Sequence, residues 1–71
     1  MQRFGKKMRT LRTRHGMTVR ELAAALGYNS FGLISEVETG RRLPSLHLAI
    51  QVSRLFGVPV ETLVKDEIEM D

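Results

Sequence analysis

Four glycines divide this chain into short lengths, and that division constrains the fold more than any other feature. Gly16, Gly27, Gly40 and Gly57 each follow a stretch whose apolar residues recur at helical spacing. Glycine adopts the left-handed conformation that closes a helix without a Cβ penalty. Met17, Tyr28 and Val58 come directly after three of them, where an apolar side chain folds back on the last turn of a Schellman-type cap. Helix starts are marked as well. Thr18 with Glu21 makes a capping box, Asn29 or Ser30 and then Ser45 suit the next two N-caps, and Pro59 presets a last opening turn. The punctuation predicts five helices, over about 3–15, 19–26, 31–39, 46–56 and 60–67.

The inward faces follow from the same spacing. Phe4, Met8 and Leu11 line the first helix, and Leu22, Ala23 and Leu26 the second. Ile34 and Val37 serve the third, and Leu46, Ala49, Val52 and Phe56 the fourth. No segment alternates with period two for long, so the expected fold class is all-α. A length of 71 residues and a 42% hydrophobic share suit one domain with a modest core and no deep substrate cavity. That domain spans 1–71, with its core over about 4–64 and a loosely held acidic tail over 66–71.

Several kinds of chemistry are missing. There is no cysteine, and neither His15 nor His47 has a second ligand one helical turn away, so no metal is expected. Ser30, Ser35, Ser45 and Ser53 have no general base arranged beside them, and no glycine-rich phosphate loop is present. No enzyme activity and no cofactor are expected. No apolar run approaches the ~20 residues of a membrane span, and the basic opening stretch lacks the apolar core of a signal peptide. A soluble cytoplasmic protein is the default expectation.

The net charge of +3 is mild, but its distribution is uneven. The first twenty residues carry Arg3, Lys6, Lys7, Arg9, Arg12, Arg14 and Arg20 and no acid. From residue 61 onward, Glu61, Asp66, Glu67, Glu69 and Asp71 face a single base, Lys65. A positive end suits a polyanion such as the DNA backbone. Charge alone describes a solvated helix face equally well, so the argument needs a motif.

The motif is a set of linked blocks. Leu11–Thr18 reads LRTRHGMT, Glu21–Gly27 reads ELAAALG and Ile34–Gly40 reads ISEVETG, followed by Arg41, Arg42, Leu43, Pro44 and Ser45. Two short helices joined by a tight turn need a small residue at the turn and small residues where they cross. Gly27 meets the first need, and Ala23 with Ala24 or Ala25 meets the second. The second helix of such a pair can enter the major groove, whose ~12 Å width admits an α-helix. In order and spacing, from about Phe4 to Val64, these blocks resemble the phage-repressor (Xre/Cro-type) helix-turn-helix family.

The resemblance implies a compact five-helix, lambda-repressor-like bundle whose second and third helices form the helix-turn-helix. It further implies a sequence-specific transcriptional regulator, a repressor by default, that binds palindromic double-stranded DNA as a homodimer. The family pattern also pairs Arg12 with Glu38 as a structural tether for the recognition helix; phosphate contact is the competing role for Arg12. Two departures stand out. One extra residue lies within Tyr28–Phe31, and Val19 occupies a position that is often glutamine in the family. The second shifts phosphate binding onto Thr18, Arg20 and the backbone N–H groups that open the second helix.

Base reading falls to Asn29, Ser30, Phe31, Gly32, Leu33, Ser35 and Glu36. Asn29 can pair with adenine in a bidentate way, Glu36 can accept from the cytosine amino group, and Leu33 or Phe31 can touch thymine methyls. Each has a plainer alternative: capping for Asn29 and Ser30, core packing for Phe31, a solvated charge for Glu36. Gly32 suggests a helix backbone that comes close to DNA. Arg41 and Arg42, with no acid next to them, are the expected phosphate contacts, joined by one or two of Arg3, Lys6, Lys7, Arg9 and Arg14. Leu48, Leu55, Val60, Leu63 and Val64, with Ile68, form the expected dimer face, which would set two recognition helices roughly 34 Å apart. The alternative is a monomer whose last helix covers its own core. The same face suits a rival function, an antitoxin-like or adaptor module that holds another protein.

Overall fold

Local caps close the first four helices at a glycine and open the second and fourth at a hydroxyl. A computed structural model describes residues 1–70. It contains α1 (Phe4–Arg14), α2 (Val19–Ala25), α3 (Gly32–Glu38), α4 (Leu46–Phe56) and α5 (Val60–Val64). Among the described residues there is no strand. The four spacing glycines take φ values from 65° to 87°. At each, the next N–H donates to the carbonyl five residues back: Met17 to Arg12, Tyr28 to Ala23, Arg41 to Glu36 and Val58 to Ser53, at 2.8–3.2 Å. These are the bonds that satisfy the last carbonyls of a helix. The capping box is complete, with the Glu21 N–H donating to Thr18 Oγ1 at 3.1 Å and the Thr18 N–H to Glu21 Oε1 at 2.8 Å. Ser45 Oγ accepts from the Leu48 N–H at 3.0 Å.

The bundle is organised around α1, which packs against α3, α4 and α5, while α2 packs on α3 and α4 on α5. Phe4, Met8, Leu22, Ile34, Leu48, Val52 and Leu63 are fully buried. Met17, Tyr28 and Val58, the residues after the glycines, pack against the edge of this core. No helix is long and apolar enough to cross a membrane.

The inward stripe of α4 differs from the expected one. Leu48, Ala49 and Val52 are buried while Leu46 is 57% exposed. The stripe is turned toward Leu48 because α5 and α1, which pack on α4, cover that side of the helix. Leu63, from the short α5, is wholly buried as well. Leu48 and Leu63 therefore belong to the chain's own core and have no surface for a second subunit. That corrects two members of the expected dimer face.

The tail differs too. α5 ends at Val64 rather than near residue 67, and the residues after it are tied down. The Asp66 carboxylate accepts from the N–H groups of Gln2 and Arg3 at 3.1 and 2.9 Å. The Arg3 guanidinium donates to both Glu69 oxygens at 2.8 and 2.9 Å and to the Asp66 carbonyl at 2.7 Å. Lys7, only 3% exposed, donates through Nζ to the carbonyls of Thr62, Lys65 and Ile68 at 2.6, 3.0 and 2.8 Å. The carbonyls at the end of α5 need donors, and an ammonium group has three. Charge counting separates a basic and an acidic end; the fold joins them. The last tail residue, Asp71, lies outside the described residues.

These contacts carry a pH dependence. The Arg3 backbone N–H, which donates to Asp66, is the main reason that carboxyl lies below its ordinary range; the Arg3 side chain does the same for Glu69. A group whose folded pKa is lowered stabilises the fold above its unfolded pKa and loses that contribution as the pH falls through the folded value. Residues 66–70 are thus expected to stay docked at neutral pH and to lose their Asp66 and Glu69 contacts with Arg3 only as the pH falls below the ordinary carboxylate range, leaving Lys7 as their remaining hold on α1. A titration of the Ile68–Met70 amide chemical shifts checks this, and shifts that stay native at low pH would contradict it.

Candidate nucleic-acid interface

The connection from α2 to α3 runs through Gly27–Phe31 and is fastened from behind. Tyr28 Oη donates to Gln51 Oε1 at 2.8 Å, and Gln51 Nε2 donates to the Leu26 carbonyl at 3.0 Å. The turn is thereby held to α4 by a polar pair that sequence reading did not single out. The buried Ile34 and Val37 face α3 inward.

On the other side of the turn and helix, Asn29, Ser30 and Phe31 are exposed, and Gly32, Leu33, Ser35 and Glu36 are half-buried. The expected caps behave differently from the reading above. The N-cap of α3 is Phe31, without a side-chain cap bond; Ser30 Oγ accepts from the Gly32 N–H at 3.2 Å. Asn29 makes no side-chain hydrogen bond among the described residues. Leu33 packs against the core, whereas Phe31 remains 42% exposed outside it. The Arg20 guanidinium lies over the Phe31 ring, 4.8 Å from its centroid.

Gly32 has no packing reason to be glycine. A Cβ built there would meet only Ser30 Oγ, at 3.5 Å. Gly32→Ala is accordingly expected to raise stability by roughly 0.5–1 kcal/mol. If the α3 backbone lies against DNA, the same change weakens binding; a more stable variant with unchanged affinity would show that no such approach occurs. Urea unfolding and a binding titration on one preparation read both quantities.

The basic residues sort into two groups. Arg42 Nε donates to Glu36 Oε1 at 2.7 Å, so Arg42 has an acidic partner after all. The six-residue separation hides it, because the cap at Gly40 turns the chain back over the last turn of α3. Glu36, an expected cytosine reader, is occupied by the same pair. Arg41 is exposed and has no ion-pair partner among the described residues. Of the cations on and just before α1, Arg3 and Lys7 are committed to the tail, which removes them as phosphate contacts. Lys6, Arg9 and Arg14 stay exposed. Thr18 is exposed with its hydroxyl engaged in the capping box, leaving the opening of α2 its backbone N–H groups.

Behind α3 lies the seam with α1. Arg12 Nε donates to Glu38 Oε2 at 2.8 Å and Arg12 Nη2 to Glu38 Oε1 at 3.0 Å, a bidentate pair. The remaining terminal nitrogen donates to the Met17 carbonyl at 2.8 Å. The two side chains are only 12% and 6% exposed. Hydrogen bonding to Glu38 raises the Arg12 pKa above its ordinary value. With a donor from each of its three nitrogens engaged internally and the side chain only 12% exposed, Arg12 is placed as a tether between α1 and α3.

The second element of the seam is Gly5, which sequence reading passed over. A Cβ at Gly5 would run into the Val37 carbonyl oxygen, with Val37 C at 3.2 Å and Glu38 Cα at 3.3 Å. A glycine early in an otherwise regular helix was the available signal.

Of the expected dimer face, Leu55 is 40% exposed, and Val60 and Val64 are half-buried. Among the described residues no group of three or more His, Cys, Asp or Glu side chains is placed to hold a metal ion.

Comparison with known proteins agrees with this geometry. A helix-turn-helix family model matches residues 8–63. An uncharacterized HTH-type transcriptional regulator of Methanocaldococcus jannaschii is 35% identical over 57 residues, covering 80% of this chain and 85% of that protein. Another HTH-type transcriptional regulator, from Archaeoglobus fulgidus, is also 35% identical over 57 residues, covering 80% of each chain. No solved structure matches. With α2 and α3 arranged as above and the family model spanning most of its length, the chain belongs to the helix-turn-helix family.

Proposed function

We propose that the chain is a sequence-specific DNA-binding transcriptional regulator, a cytoplasmic repressor that binds a palindromic operator as a homodimer with α3 in the major groove. The observation that carries this reading is the entry to α3: Asn29, Ser30 and Phe31 are exposed in the turn that leads into a helix tied from behind by the Arg12–Glu38 pair. A scaffold that aims one short helix so firmly, with an unpaired arginine at its far end, matches the division of labour at DNA. Phosphate contacts set position and base edges set sequence. The names of both relatives support the regulatory role. The exposed Leu55, with the half-buried Val60, is the part of the expected dimer face still able to meet a second copy, since Val64 packs against the core.

Selection from a random duplex library tests the proposal directly. A two-fold symmetric site with half-sites about one helical turn apart supports it. Equal affinity for every duplex at moderate salt overturns it. The arginines give a finer test. Arg41→Ala is expected to weaken all duplexes alike and to lower the slope of log K against log salt by roughly one unit. Arg42→Ala should cost less, because Arg42 must leave Glu36 before it meets a phosphate. Salt titrations of the two variants check this order.

A further inference from the structure

We propose that Arg20 and Phe31 act as one unit that reads a pyrimidine C5-methyl group in the major groove, an inference that rests on the DNA-binding reading above. An exposed phenylalanine at the start of a groove-facing helix needs an apolar target. The pyrimidine C5-methyl is the apolar group that base pairs present in the major groove. Phe31 is 42% exposed and lies outside the core, whereas Leu33, the other candidate for a methyl contact, is packed against it. The Phe31 ring is thus the apolar surface this end of α3 offers to a base.

Arg20 gives that ring its orientation. Its guanidinium carbon sits 4.8 Å from the ring centroid, within the range of a cation–π contact. The contact occupies one ring face, and Phe31 as a whole stays 42% exposed. It also leaves the N–H donors of the guanidinium unused; the Arg20 side chain makes no hydrogen bond to any described residue. They remain available to the phosphate that flanks the methylated base, so one contact positions while the other discriminates. Arg20, Phe31, Asn29, Ser30 and Tyr28 line a single open concavity between α2 and α3, which gives the methyl a place to enter. Thymine and 5-methylcytosine share this group. Arg20 is a positioning residue, and Phe31 makes the contact.

The test uses the intact chain and the duplex its own library selection yields. Each thymine is replaced in turn by deoxyuridine, which removes only the methyl. At one position in the site, affinity should fall about four-fold, the effect of exposing one buried methyl. Cytosine and 5-methylcytosine are then compared there, and the methylated form should gain by a similar factor. Whichever of thymine and 5-methylcytosine binds more tightly identifies the natural target, and either result supports the inference. Phe31→Ala, whose ring is outside the core, should fold normally and lose the thymine-over-uracil ratio. Arg20→Gln should reduce that ratio, an effect that loss of a phosphate contact alone would not produce. Equal affinity for thymine and uracil duplexes at every position overturns the inference and leaves the regulatory reading standing. A ratio that survives Phe31→Ala overturns it as well, because another side chain then makes the contact. A chain with no preferred duplex overturns both.

Discussion

Arg12→Ala is expected to leave most of the chain unfolded at room temperature. The substitution strands Glu38, whose side chain is 6% exposed, as a buried carboxylate with no counter-charge. Breaking a buried pair in this way costs about 3–5 kcal/mol, while a core in a domain this small rarely supplies more than about 3–5 kcal/mol in total. The Met17 carbonyl loses its donor at the same time. Urea unfolding followed by circular dichroism measures the loss, and a midpoint equal to that of the parent chain would show that the pair is not needed. The double variant Arg12→Met with Glu38→Leu separates stability from aim. Apolar replacement of both partners removes the stranded charge and should restore much of the fold. It should restore DNA affinity less completely, because the directional bidentate tether between α1 and α3 is gone and only apolar and backbone packing then sets their angle.

Gly5→Ala carries the second large effect, and its sign is the opposite of the usual one. Within a helix, exchanging glycine for alanine normally gains roughly 0.5–1 kcal/mol. Here the new Cβ meets the Val37 carbonyl oxygen, a backbone atom that cannot rotate aside as a side chain can. Overpacking of this kind costs about 1–3 kcal/mol, and for a domain of this size each kcal/mol lowers the melting temperature by roughly 4–8 °C. To accept the methyl, α3 must move away from α1, so DNA affinity should fall further than the loss of folded protein explains. Thermal melts read against Gly32→Ala, where the same methyl meets only the Ser30 hydroxyl at ordinary contact distance, isolate the effect of the seam. A Gly5→Ala chain that melts higher than the parent would refute the close approach of the two backbones.

What could be read in advance depended on whether the cause was local. The caps at Thr18, Ser45 and the four glycines are local chemistry, and the helices begin and end at them. The Arg12–Glu38 pair bridges two elements, but the motif blocks announced it. The position of Leu48 was misjudged because an eleven-residue helix admits more than one apolar stripe, and only the neighbouring helices decide between them. Gly5 was missed for a related reason: the cause of a missing side chain lies on α3, more than thirty residues away. The base-facing residues split the same way. Leu33 and Phe31 look alike as apolar candidates in the chain, and packing separates them. The pairing of Glu36 with Arg42 escaped notice because a turn, and not a helical register, brings them together.

The ammonium of Lys7 has a kinetic corollary. Through its three carbonyl acceptors it links the first turn of the molecule to segments 55 to 61 positions further on, much as a clasp closes a bracelet. Fraying at either extremity must break the same clasp. The amides around Phe4–Met8 and those around Leu63–Ile68 should therefore open as one cooperative unit and exchange with deuterium at a shared rate.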